Sequence, residues 1–193
     1  MNRHNNKPYE EIKYLESDGK AKQVALIELK EIFEDLGITI MENNESFGID
    51  ILGIKNGNVV VGIEVEHKKG WRSIDKDRFS FPTIHISERK RRHFVNGQNN
   101  ILVMCNEDFT YYLVLEADHI GTMEMIRKDT KTKTLDTTLE PFIEVPAKHA
   151  TISKVINAKT FEALEAVDEQ IKKKKEEEQR IRLKASSLLK IGS

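Results

Sequence analysis

The sequence predicts a mixed α/β domain: a central sheet flanked by helices, followed by a C-terminal helical tail. Three observations carry that prediction. One amphipathic helix signal precedes a series of short, β-branched runs. Two pairs of those runs are joined by turn residues. From residue 158 onward the pattern is helical and then purely charged. The 193 residues suit one domain of ordinary size with an appendage, divided here as 1–157 and 158–193. Hydrophobic residues make up 38% of the chain and charged residues 33%, enough apolar mass to bury a core and to exclude wholesale disorder. A net charge of −1 excludes the uniformly basic footprint of a nucleic-acid coat or membrane-surface protein, so any basic binding surface must be local. Cys105 is the single cysteine, which excludes an internal disulfide framework and a Cys-rich zinc site. Residues 1–7 have no apolar signal region behind them, and no run approaches the roughly 20 apolar residues of a membrane span. The expectation is a cytoplasmic protein with no membrane partner.

Taken in order, Ala25, Leu26, Leu29, Ile32, Phe33 and Leu36 recur at helical spacing, and Gly37 is placed to end that helix. Residues 38–41 and 48–54 read as strands, and Asn56-Gly57 supplies a tight turn before the β-branched run 59–65. Residues 83–86 read as a short strand, after which Ser87 can cap a basic helix over about 88–95. Residues 101–105 and 110–115, separated by Asn106-Glu107-Asp108, form a second hairpin signal, with shorter β segments near 123–127 and 142–145. In the tail, Phe161, Leu164, Val167 and Ile171 keep helical spacing before a run of lysines and glutamates. This predicts a marginal, partly detached helix serving self-association as a homodimer, with Leu183, Leu188, Leu189 and Ile191 as a second apolar cluster.

The chemistry concentrates in two neighbouring segments, Gly48-Ile49-Asp50-Ile51 and Ile63-Glu64-Val65-Glu66-His67-Lys68. Alternation along a strand places Glu64, Glu66 and Lys68 on one face and Ile63, Val65 and His67 on the other. If Asp50 shares the first face, Asp50 and Glu66 make an all-oxygen pocket suited to Mg²⁺, completed by a backbone carbonyl, that of His67, and by waters. Glu64 is an additional or alternative ligand. Register is the critical condition. A plain two-residue Asn56-Gly57 turn would put Asp50 on the face opposite Glu66, so the site requires an odd-length loop or a bulge in one strand. Replacing Asp50 or Glu66 by Ala is expected to relieve like-charge repulsion and leave metal-free stability equal or higher. The other reading of Glu64-x-Glu66-x-Lys68 is a solvated strand face. His67 reads as a structural histidine.

On Asp50 and Glu66-His67-Lys68 the sequence resembles the PD-(D/E)xK superfamily, the restriction-endonuclease-like nucleases, whose motif is an acidic residue at a hairpin followed by (D/E)-x-K on the next strand. The resemblance spans roughly residues 20–115, with Gly48-Ile49 where the motif's name places proline. It implies a restriction-endonuclease-like mixed central sheet and a Mg²⁺-dependent site, Mn²⁺ being a possible substitute. It further implies DNA as substrate and Lys68 as the catalytic lysine. It also implies a carboxylate from the first helix, for which Glu28 is the candidate and Glu31 the fallback.

Between Glu66 and Arg92 nine Lys and Arg face four Asp and Glu, a local charge of +5 that leaves −6 on the rest. Lys69, Trp71, Arg72, Arg89 and Lys90 are the expected nucleic-acid contacts, Trp71 by stacking and the others by charge. The same residues could instead be a solvated helix face and a core aromatic. Three functions follow. The first is a Mg²⁺-dependent DNA nuclease. The second is a catalytically silent relative that binds DNA or a protein partner. The third is a structural interaction protein working through its tail.

Overall fold

The helical signal around Ala25 belongs to a longer N-terminal arm. In the computed structural model, which describes residues 8–45, 48–72, 79, 81–95, 99–121, 125–130 and 138–191, α1 (Pro8–Tyr14) passes through a π-helical turn (Leu15–Gly19) into α2 (Lys20–Glu28). Tyr14 and Lys20 are both right-handed helical, so this is one helix with one widened turn. A break at Leu29 separates α2 from α3 (Lys30–Asp35), and Gly37 at φ +70° lets the chain turn away.

The strands follow as β1 (Thr39–Glu42), β2 (Ile51–Lys55), β3 (Asn58–Lys68), β4 (Thr83–Ser87), β5 (Ile101–Asn106) and β6 (Tyr111–Glu116). After α4 (Ala117–Gly121) come β7 (Met125–Thr130), β8 (Thr138–Pro146), β9 (Thr151–Lys154) and then α5 (Ala158–Ile191). Six strands form the central sheet in the order β1-β2-β3-β5-β6-β9, with β3 and β5 parallel and the other pairs antiparallel. The domain is thus mixed α/β, as the sequence predicts. One face of the sheet carries Ile51, Ile63, Val65, Val103 and Cys105 against Ala21, Val24, Ala25 and Leu29 of the helical arm. The other carries Leu102, Met104, Leu113 and Leu115 against Trp71, Ile84, Ile86 and Ile143. That second cover comes from a smaller antiparallel sheet, β4-β8-β7, to which the 83–86 strand belongs. The expected α-helix after Ser87 is a 3₁₀ helix confined to Glu88–His93, and the Ser87 side chain makes no cap bond. A run of six residues with four basic side chains and only distant apolar positions supports this tighter, shorter form.

The β2–β3 hairpin meets the register condition through a bulge. Asn56 and Gly57 lie at φ +52° and +77°, the left-handed pair of a two-residue turn, and Lys55 pairs with Asn58. Ile54 then pairs with Val59 but Gly53 with Val61, leaving Val60 unpaired, so that Ile51 stands opposite Ile63. Continuing that register sets Asp50 opposite Glu64. Gly53 sits at the shift because a Cβ there would collide with the Val61 side chain.

The tail is docked over its first half, so it is at most partly detached. Val167 and Ile171 of α5 pack on Ile12 and Leu15, and Lys20–Asp168 (2.6 Å), Lys174–Glu11 (2.7 Å) and Lys175–Glu16 (2.6 Å) flank the seam. The weak apolar stripe of α1, one large residue per turn, is stable as a helix only because α5 covers it. Past this seam Ile181 and Leu183 are 59% and 65% exposed. Among the described residues no helix is long and apolar enough to cross a membrane. The two halves of α5 predict different mutational costs. Ile171→Ala should lower stability by about 2–4 kcal/mol in urea titration, whereas Ile181→Ala should stay within about 0.5 kcal/mol. Equal losses at both positions would mean that the far half is buried too.

Candidate active site

The site forms where β2 begins and β3 runs on past it, paired from there with β5 alone. Asn43 closes the preceding loop, its backbone N–H donating to the Asp50 carbonyl (2.9 Å) and its side-chain amide to the Ile49 carbonyl (2.9 Å). Asp50 then substitutes a side chain for the missing strand: its Oδ2 accepts the Val65 backbone N–H at 2.9 Å. Its Oδ1 lies 3.2 Å from Lys22 Nζ, which also reaches Glu42 Oε1 at 3.3 Å. Lys22 is only 8% exposed. Burial alone would discharge it, yet bonds to Tyr14 and Asp50 hold its ammonium above the ordinary lysine range.

On the same face of β3, Lys90 Nζ bridges Glu64 Oε1 (2.9 Å) and Glu66 Oε1 (3.0 Å). Glu64 is 5% exposed, and its Oε2 is buried with no hydrogen-bond partner among the described residues. Burial raises its pKa, Lys90 works against that rise, and the charge of Asp50 adds to it. Burial likewise would discharge Lys90, but Glu66 and then Glu64 keep its pKa raised. Asn100 steadies the 3₁₀ helix that presents Lys90. Its Oδ1 accepts the Gly62 N–H (2.7 Å) while its Nδ2 donates to the His93 carbonyl. Lys90 was expected on an open, phosphate-facing surface. Here it is paired inside the acidic cluster, its side chain reaching Glu64 and Glu66 from a short 3₁₀ helix packed against β4 and β8.

On the N-terminal arm it is Asp18, not Glu28, that has electrostatic interactions with this cluster. Asp18 lies in the π-turn within electrostatic reach of Lys90, Asp50, His67 and Lys22. Burial of its carboxyl raises its pKa, opposed first by Lys90. Glu28 is engaged elsewhere. Its carboxylate accepts the Ile156 (3.3 Å) and Asn157 (3.1 Å) N–H groups and the Thr160 hydroxyl (2.5 Å), capping the start of α5. Glu31, the fallback, is exposed on α3.

Lys68 is half-buried at the end of β3, with no ion pair or hydrogen bond among the described residues. His67, on the opposite face, stacks on Phe109 (4.5 Å between centroids), and its Nε2 lies 3.2 Å from the Glu107 carbonyl. Burial lowers its pKa, which fits a neutral structural ring. Trp71 corrects an expectation. At 2% exposure, edge-on to Phe79, it is core and cannot stack on a base. Lys69 and Arg89 are exposed, and Arg72 is exposed with its Nε 3.2 Å from Glu107 Oε2. His85 is on the small sheet, with Nε2 2.9 Å from Glu144 Oε1.

Asp50, Glu64, Glu66 and Asp18 offer only oxygen donors, the set a hard divalent cation takes, and Glu64 Oε2 is an acceptor still unmet. Among the described residues no group of three or more His, Cys, Asp or Glu is already gathered around one metal position. Lys22 and Lys90 stand among the carboxylates instead. No family model matches the chain, and no curated protein matches it. The function must therefore be argued from the cluster itself.

Two outcomes follow from these contacts. Asp50→Ala orphans the Val65 N–H and leaves Lys22 charged with less compensation. It should therefore cost about 3 kcal/mol in thermal or urea unfolding, reversing the gain expected from the sequence, and Asp50→Asn should cost less. An unchanged Asp50→Ala midpoint would contradict the network. For Glu64 the folded pKa is raised, so its favourable contribution is present at low pH and lost as pH rises through that raised value. Glu64→Gln should then match or exceed the metal-free wild type at pH 8, the difference vanishing toward pH 4. A clear loss at pH 8 would count against the burial penalty.

Proposed function

We propose that this protein is a Mg²⁺-dependent nuclease that hydrolyses DNA phosphodiester bonds, with Mn²⁺ as a working substitute. The observation that supports it best is the Val60 bulge, which pairs Ile51 with Ile63 and so brings Asp50 alongside Glu64, where its Oδ2 takes the Val65 N–H. In this reading Asp50 and Glu66 hold the metal, Glu64 and the His67 backbone carbonyl stand beside it, and Asp18 takes the place first given to Glu28. Bound there, the metal polarises a phosphoryl oxygen and acidifies a water. Lys68, on the same strand face and without another partner among the described residues, orients that water or meets charge developing on the phosphate. Lys69, Arg72 and Arg89 face solvent and attract the DNA backbone. Self-association through the exposed Ile181 and Leu183 of α5 would suit the two strands of a duplex.

A second reading keeps the fold and drops the chemistry: a DNA- or protein-binding relative. The Lys22 and Lys90 ion pairs favour it, since both lysines neutralise carboxylates that a metal would need. One experiment separates the two. Purified protein should nick or linearise supercoiled plasmid with Mg²⁺ or Mn²⁺, lose this with EDTA, and lose it in Asp50→Asn and Glu66→Gln variants that still fold. DNA retention without metal-dependent cleavage in the wild type would select the second reading.

A further inference from the structure

Lys90 holds the position of a cation. Its ammonium meets Glu64 Oε1 at 2.9 Å and Glu66 Oε1 at 3.0 Å, and approaches the Val65 carbonyl at 3.4 Å, three oxygens from consecutive residues of one strand. We infer that Lys90 is a built-in counter-ion that a divalent cation must displace from Glu64 and Glu66, so that metal entry releases a lysine to the rim of the site, where it meets the phosphate of the substrate. The inference rests on the metal-dependent reading above and deepens it.

Three features carry it. An ammonium and a dication cannot share the same two carboxylate oxygens, because each needs those lone pairs and the two charges repel. An ammonium also leaves the site incompletely satisfied. Glu64 Oε2 is buried without a partner, an acceptor that a cation with six ligands can use and three N–H donors already committed elsewhere do not. Finally, Lys90 can leave. It extends from a 3₁₀ helix of six residues beside exposed Arg89, on a flexible four-carbon stem. Lys22 also pairs with a carboxylate the metal would take, Asp50, but it is not placed to leave. It rises from α2 into the core cover, lies between Asp50 and Glu42, and has its ammonium over the Tyr14 ring. Lys22 is a fixed support and Lys90 the exchangeable one.

The test is Mn²⁺ binding by the full chain without DNA, read from the electron paramagnetic resonance signal of free Mn²⁺ and from the shift in thermal midpoint. Lys90→Met should bind Mn²⁺ at least tenfold more tightly than wild type and gain more thermal stability from it, and Glu66→Gln should abolish binding in either background. Because Lys90→Met strands two carboxylates and could fail to fold, Glu64→Gln with Lys90→Met is compared with Glu64→Gln alone, and the same tightening is expected. Equal or weaker binding without Lys90, while wild type still binds through Asp50 and Glu66, overturns the counter-ion role and leaves the metal site standing. Absence of Mn²⁺ binding in every variant overturns both.

Discussion

One unpaired residue, Val60, sets the register on which the candidate site depends. Side chains alternate strictly along a strand, so a one-residue shift moves a whole set of groups from one face to the other. Without the bulge, the Asn56-Gly57 turn would align Asp50 with Ile63 instead of Glu64. With it, Ile51 pairs with Ile63 in the first core and the next residue back comes opposite Glu64. The Asp50 side chain then binds the Val65 N–H, a bond that a paired strand would have made with its backbone. Packing of Ile51 and Ile63 and the placement of Asp50 are therefore one constraint. Any change that restores regular pairing would lose both.

The cluster is a poor device for stability. Burying charges costs several kcal/mol per ion, and the attraction between partners commonly does no more than offset that. Here carboxylates outnumber the ammonium groups, Glu64 remains raised in pKa even beside Lys90, and one of its oxygens has no partner among the described residues. Well-packed apolar residues would serve a mere scaffold better. Strain of this kind, held in place by Asn100 on one side and Tyr14 on the other, is the pattern expected where a site is kept ready for a charged ligand.

Much of this was legible in the sequence, and the gaps have physical causes. Both hairpins, the break at Gly37 and the shared face of Glu64, Glu66 and Lys68 follow from alternation and turn chemistry, which are local. The need for a bulge could be deduced, but not its place at Val60, which depends on Gly53 and Val61 passing at close range. Asp18 was invisible because α1 and the π-turn look polar alone; their helicity comes from α5, more than a hundred residues away. Glu28 had the right helix and the wrong end, its carboxylate drawn to the backbone N–H groups before α5. Trp71 and Lys90 sit in a basic stretch whose composition suggested an open surface. Tertiary placement put the first in the second core and the second among acids.

The long helix belongs to this argument as well. Its docked half touches the arm at the π-turn itself: Lys175 binds Glu16, Asp168 binds Lys20, and Val167 and Ile171 cover Ile12 and Leu15. Those contacts bracket Asp18 and lead directly to Lys22, two residues beyond Lys20. Exposed ion pairs contribute little, so the apolar seam does most of the holding, and the pairs fix its rotation. A π-turn is an unfavourable way to run a helix unless its neighbours require it. In this fold α5 supplies that requirement, and the widened turn is what brings a helix-borne carboxylate within electrostatic reach of Asp50 and Lys90.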